Sequence, residues 1–237
     1  MTQSTYPRAL GWAVHFYTAC GAVFGLLALQ AVWGGRISQA FFWMAITIVI
    51  DSTDGFLARK VQVRRLVPHI DGRTLDDIVD YFTYVVVPVF FMVGTGLLPN
   101  MILVASFPLI ASGFGFANRQ AKTEDDFFLG FPSYWNVVAF YLWLFGLPPQ
   151  VNAAVIVLLS VLVMIPVRYI YPSKTRQYRG TTLVLAIAWG LQLLIAFVWP
   201  EGIPGWWLWS TLYFPVYYLA ASLHLHRSLP PSSVPSD

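Results

Sequence analysis

The chain reads as an all-α integral membrane protein of about eight transmembrane helices, a fold class that follows from composition, run length and charge placement. The 237 residues are 57% hydrophobic and only 11% charged, with mean hydropathy +0.64. A soluble domain carries about 25% charged residues. The apolar residues fall in runs of roughly 20, the length a bilayer demands. The basic residues alternate with those runs so that all but Arg36 of the fourteen Lys and Arg lie on one side. That side is the cytoplasm by the positive-inside rule.

The first run, 10–33, follows MTQSTYPRAL, which lacks the cleavage features of a secretory leader, so it is read as a retained span. Gly34-Gly35 ends it, and the second run, 38–58, closes on DSTDGFLARK. The third, 73–97, opens with GRTLDDIVDY and stops at Leu98-Pro99-Asn100. Runs four, five and six cover 100–118, 132–148 and 151–170, the last two parted only by Pro148-Pro149. The seventh and eighth, 181–199 and 205–224, flank Pro200–Gly205. Both termini are expected in the cytoplasm. Residues 1–237 form a single membrane-embedded domain, with a Pro/Ser-rich, disordered tail from about 228 to 237. The net charge of +3 reports topology and gives no reason to expect nucleic acid as a partner. The single cysteine, Cys20, lies in an apolar run and is read as a packing residue.

Of eleven acidic residues, six lie between positions 51 and 80. Asp51 and Asp54 close the second run, while Asp76, Asp77 and Asp80 open the third. A charge inside a membrane helix costs a few kcal/mol or more, which makes these residues functional candidates. Spacings of three and four put Asp51 with Asp54, and Asp76 with Asp80, on one helix face each. On antiparallel neighbouring helices the four carboxylates would converge and repel one another unless divalent cations lay between them. All-oxygen ligation suits Mg²⁺ or Mn²⁺. Asp77 points about 100° away from Asp76, toward a supporting or nucleotide-contacting role. Gly55, Ala58 and Gly72 leave room for phosphate or sugar to approach the backbone. Arg59 could bind phosphate.

These residues resemble the CDP-alcohol phosphotransferase family, whose signature is written D-x2-D-G-x2-A-R…G-x3-D-x3-D. Every fixed position is filled, by Asp51, Asp54, Gly55, Ala58, Arg59, Gly72, Asp76 and Asp80. The spacer between Arg59 and Gly72 is longer than the family's usual one, a feature associated with the bacterial phosphatidylcholine synthase branch. The stretches FLGFPSYWNVVAFYLW (128–143) and HFYTACGAVFG (15–25) are similar to that branch as well.

The resemblance implies transfer of a phosphatidyl group from CDP-diacylglycerol to choline with release of CMP, at a site with two Mn²⁺ or Mg²⁺ ions. Asp51, Asp54, Asp76 and Asp80 would ligate metal, and Asp80 would also be the general base. Gly55, Ala58, Arg59, Gly72 and Asp77 would hold the nucleotide. The enzyme would sit as a homodimer in the bacterial inner (cytoplasmic) membrane, its site facing the cytoplasm.

A quaternary ammonium makes no N–H hydrogen bonds and favours aromatic faces. Tyr81, Tyr84, Tyr134 and Trp135 are therefore candidate choline contacts, with the polar Asn136 beside them. Aromatics also gather in interfacial belts, which gives each a purely structural alternative. His15 is open to two readings, a nucleotide contact or a bond to another helix. Within the family the rival acceptors are serine, inositol and glycerol phosphate. A cation- or proton-coupled transporter would place its acids near the bilayer midplane, whereas these stand at helix ends.

Overall fold

A computed structural model describes residues 6–118, 121, 125–172, 174–198 and 202–229. The first two helices, α1 (Arg8–Trp33) and α2 (Ile37–Val61), form a hairpin around Gly34-Gly35. A short α3 (Val63–Leu66) follows a left-handed turn at Gln62. The third run is one continuous helix, Gly72–Gly94, made of α4 (Gly72–Asp80), a wider π-helical turn (Tyr81–Val86) and α5 (Val87–Gly94). Asp71 caps it, its carboxylate accepting from Arg73 N at 3.0 Å and Thr74 Oγ1 at 2.9 Å. Pro88 explains the widening. A proline ring clashes with the carbonyl four residues back, here Tyr84, and a π turn relieves that clash.

Next come α6 (Ile102–Ala117), β1 (Phe127–Leu129), α7 (Trp135–Phe145), α8 (Pro149–Met164) and β2 (Arg168–Ile170). The chain then runs through α9 (Arg179–Val198), α10 (Gly205–Ser210) and α11 (Tyr213–Ser228). Among the described residues, four helices are long and apolar enough to cross a membrane: Arg8–Trp33, Ile37–Val61, Gly72–Gly94 and Arg179–Val198. They match the first, second, third and seventh expected runs.

The other runs are shorter or broken. The fourth is the 16-residue α6, and the fifth contracts to the 11 residues of α7, about half a bilayer core in length. The sixth ends at Met164, because Pro166 disfavours helical geometry in the residue before it. Residues 168–170 of that run form instead a strand antiparallel to β1, pairing Phe127 with Ile170 and Leu129 with Arg168. The eighth splits between α10 and α11, where Pro215 would clash with the Thr211 carbonyl, and α11 carries the helix through Ser228. Residues 230–237 of the expected tail, and Arg119 and Lys122 of the charge pattern, lie outside the described residues.

Close approach of α1 to the third helix depends on missing side chains. A Cβ on Gly21 would stand 2.7 Å from Val79 Cγ1, and one on Gly25 would stand 2.6 Å from Phe82 Cε1. Small residues allow such contacts in helix pairs where lipid removes the hydrophobic drive to associate. The result holds α1 against both α2 and α4, and the acidic residues are set where those helices meet.

Candidate metal centre and nucleotide site

Asp51 leaves α2 one turn before Asp54, and Asp76 and Asp80 leave α4 one turn apart. The structure brings Asp51, Asp76 and Asp80 together: each offers a carboxylate oxygen, and these oxygens all lie within 4.8 Å of one another. All three residues are half-buried. Asp54 is buried beside them, its carboxyl in contact with that of Asp76. Its Oδ2 also accepts a 2.8 Å hydrogen bond from Thr18 Oγ1 on α1. Close-set carboxylates of this kind, with only oxygen donors, fit a hard divalent cation.

The small residues sit as a cradle beside the acids. A Cβ on Gly55 would lie 3.2 Å from Arg59 Nη1, so the guanidinium folds back over the Gly55 backbone. Ala58 packs with Val14, Val61 and Val63 at the α1–α2–α3 junction. A Cβ on Gly72 would lie 3.1 Å from His15 Cε1, which fills the space over the start of α4. Asp77 faces Arg73, whose Nε is 3.8 Å from Asp77 Oδ2. That pair lines a cleft with Asn118, Phe128, Pro132 and Ser133.

The aromatic candidates divide by their partners. The Tyr84 hydroxyl donates to Asp51 Oδ2 at 2.6 Å, so this tyrosine orients a carboxylate of the cluster. Tyr81 donates to the Leu109 carbonyl at 3.0 Å, tying the third helix to α6. Trp135 is fully buried and its Nε1 donates to Ser112 Oγ at 2.8 Å. Tyr134 stands 6.4 Å from the Tyr84 ring and 6.5 Å from the Tyr218 ring, within electrostatic reach of Asp51 and Asp80. Asn136 is buried with no hydrogen-bond partner on Nδ2 among the described residues.

Two residues at the site, Thr18 and Tyr171, escaped the sequence reading, as did the carboxylate partner of Tyr84. Thr18 follows His15 by three positions, a helical spacing that could have placed it on the same face. Tyr84's bond to Asp51 joins residues 33 apart in sequence, which no local pattern reveals. Tyr171, just past β2, stacks on Phe128 at 4.3 Å and carries Lys174 Nζ 4.6 Å over its ring. Burial first, then the negative charges of Asp51, Asp76 and Asp80, push its phenol up to about 12. The β1–β2 ribbon thus brings a tyrosine to the acidic cluster from far along the chain.

No family model matches the chain. It is 34% identical to a phosphatidylcholine synthase of Pseudomonas aeruginosa over 220 residues, 90% of this chain and 92% of that protein. It is 43% identical to the phosphatidylcholine synthase of Legionella pneumophila over 166 residues, 69% of this chain and 65% of that protein. The phosphatidylcholine synthase of Rhizobium meliloti is 31% identical over 204 residues, 85% of this chain and 84% of the relative.

Proposed function

The chain belongs to the bacterial phosphatidylcholine synthases, and on that basis we propose that it transfers the phosphatidyl group of CDP-diacylglycerol to choline at the aspartate cluster. The observation that carries this reading is the convergence of Asp51, Asp76 and Asp80, with carboxylate oxygens all within 4.8 Å, beside the Gly55–Arg59–Gly72 cradle. Asp51, Asp54, Asp76 and Asp80 would hold two Mg²⁺ or Mn²⁺ ions, whose charge when bound offsets that of the diphosphate and of the departing CMP. Asp80 accepts the proton of the choline hydroxyl as that oxygen attacks the lipid-side phosphorus. The bond from phosphorus to the CMP oxygen breaks, and CMP leaves with the electron pair. Gly55, Ala58, Arg59, Gly72 and Asp77 bind the nucleotide. The site opens to the cytoplasmic side of a bacterial inner membrane, in a homodimer in which the eight runs of each protomer contribute to crossing the bilayer.

The test is direct. Purified protein in detergent receives CDP-diacylglycerol, Mn²⁺ or Mg²⁺, and labelled choline, serine, inositol or glycerol phosphate in turn. Phosphatidylcholine should form and the other products should not. A folded, CMP-binding preparation that makes a different lipid would replace choline as the acceptor.

Two tyrosines separate the metal and acceptor parts of the site. Tyr84→Phe removes the donor to Asp51, and loss of a bond that orients a metal ligand typically costs about ten- to a hundredfold in metal affinity. The Mn²⁺ concentration giving half-maximal rate should rise by that factor, with little change in KM for choline. Tyr134→Leu should do the reverse. A lost cation–π contact of about 0.5–2 kcal/mol raises KM for choline roughly 2–30-fold, and Tyr134→Phe should keep the wild-type value. An unchanged choline KM in Tyr134→Leu would remove this ring from the acceptor site.

A further inference from the structure

His15 stands on α1 one turn before Thr18, the residue that hydrogen-bonds Asp54. Its ring packs against the start of α4, with Cε1 3.1 Å from the place a Gly72 Cβ would occupy. The residue is only 7% exposed, yet its Nε2 has no hydrogen-bond partner among the described residues. A buried polar nitrogen left unmatched is costly, and native proteins rarely leave one without a partner or a use. Nearby in sequence on α1, Trp12 faces His69, 5.6 Å between ring centroids, and Tyr17 is committed to Thr53 at 2.8 Å; His69 itself lies within electrostatic reach of His15. Among the described residues nothing pairs with Nε2, which leaves the nitrogen free for a bound molecule.

We infer that His15 Nε2 hydrogen-bonds the nucleotide portion of the CDP-linked substrate where it packs against Gly72. This rests on the proposed function and adds to it a binding residue from the first helix. The neutral imidazole can present a lone pair or an N–H at Nε2, which suits a ribose hydroxyl, a pyrimidine carbonyl or a phosphate oxygen. The role assigned to His15 is to hold the nucleotide, with metal binding and proton transfer left to the aspartates.

Two amides test the assignment atom by atom. Glutamine places its terminal amide near the position of Nε2, while asparagine reaches only as far as Nδ1. CMP binding to purified protein is measured in Mg²⁺ by calorimetry, alongside KM for CDP-diacylglycerol and for choline. His15→Asn and His15→Phe should each weaken CMP binding and raise KM for CDP-diacylglycerol about tenfold or more, with KM for choline unchanged. His15→Gln should stay within about threefold of wild type. Melting without nucleotide should be nearly the same for His15→Asn and wild type, whereas the upward shift on adding CMP should shrink in the variant. Wild-type CMP affinity in His15→Asn, or equal losses in His15→Asn and His15→Gln, would overturn the inference and leave the proposed function standing. Wild-type protein that fails to bind CMP would overturn both.

Discussion

Asp80→Asn is expected to bind CMP much as the wild type does while turning over about 10²–10⁴-fold more slowly, the span that general-base catalysis typically contributes. The substitution keeps the side chain's size and one carbonyl oxygen able to face a cation, so the cluster with Asp51 and Asp76 loses charge but not shape. What it removes is the capacity to take a proton. Asp80 also ends the regular part of the third helix, directly before the π turn at Tyr81–Val86. Tyr84, four residues on, still meets Asp51 through its hydroxyl, so an aromatic side chain rather than an acid follows Asp80 toward the cluster. Asp80 is thereby the last acid on its face and the one nearest the aromatic side chains that follow. Single-turnover rates with CDP-diacylglycerol and choline, measured beside CMP affinity, separate the two effects. A variant with a near-normal rate would sink the base assignment. One that lost CMP binding and rate together would make Asp80 chiefly a ligand.

The acids were legible because their information is local. Intervals of three and four residues fix a shared helix face, and the run lengths fix the helices that carry them. The contact of Asp54 with Asp76 follows from those intervals once the helices are neighbours. What supports the acids was not legible, because those contacts cross the fold. Trp135 reads from sequence as a candidate choline contact or as one more interfacial aromatic. It is in fact a core residue locked to Ser112, which itself is linked to Ser133 at 2.9 Å. The β1–β2 ribbon is built from strands of three residues each, too short for any alternating pattern to show inside an apolar run. Length was misread where proline decided it: Pro166 shortens one expected span and Pro215 breaks another, although the apolar composition continues past both.

Removing Asp76 should abolish activity and, unlike most losses in a packed site, leave the metal-free protein at least as stable as before. Two unit charges 4–5 Å apart repel by roughly 3–4 kcal/mol at an effective dielectric near 20. Asp76 faces Asp51 and Asp80 at such distances and touches Asp54 besides. Without a cation its ionised form is therefore a source of strain, and Asp76→Ala relieves that strain at the expense of one small side chain. With a cation the sign reverses, since a ligand bound only by the native state at about a hundred times its Kd stabilises it by about 2.7 kcal/mol. Wild-type protein should accordingly melt higher in Mn²⁺ or Mg²⁺ than in EDTA, and chelation should stop turnover until either ion is restored. Asp76→Ala should melt at the same temperature in metal and in EDTA, at or above the wild-type EDTA value, and make no product in either. A metal-dependent melting shift that survives Asp76→Ala would mean the ion binds without this carboxylate. A wild-type enzyme fully active in EDTA would mean that the acids meet for a reason other than holding a cation.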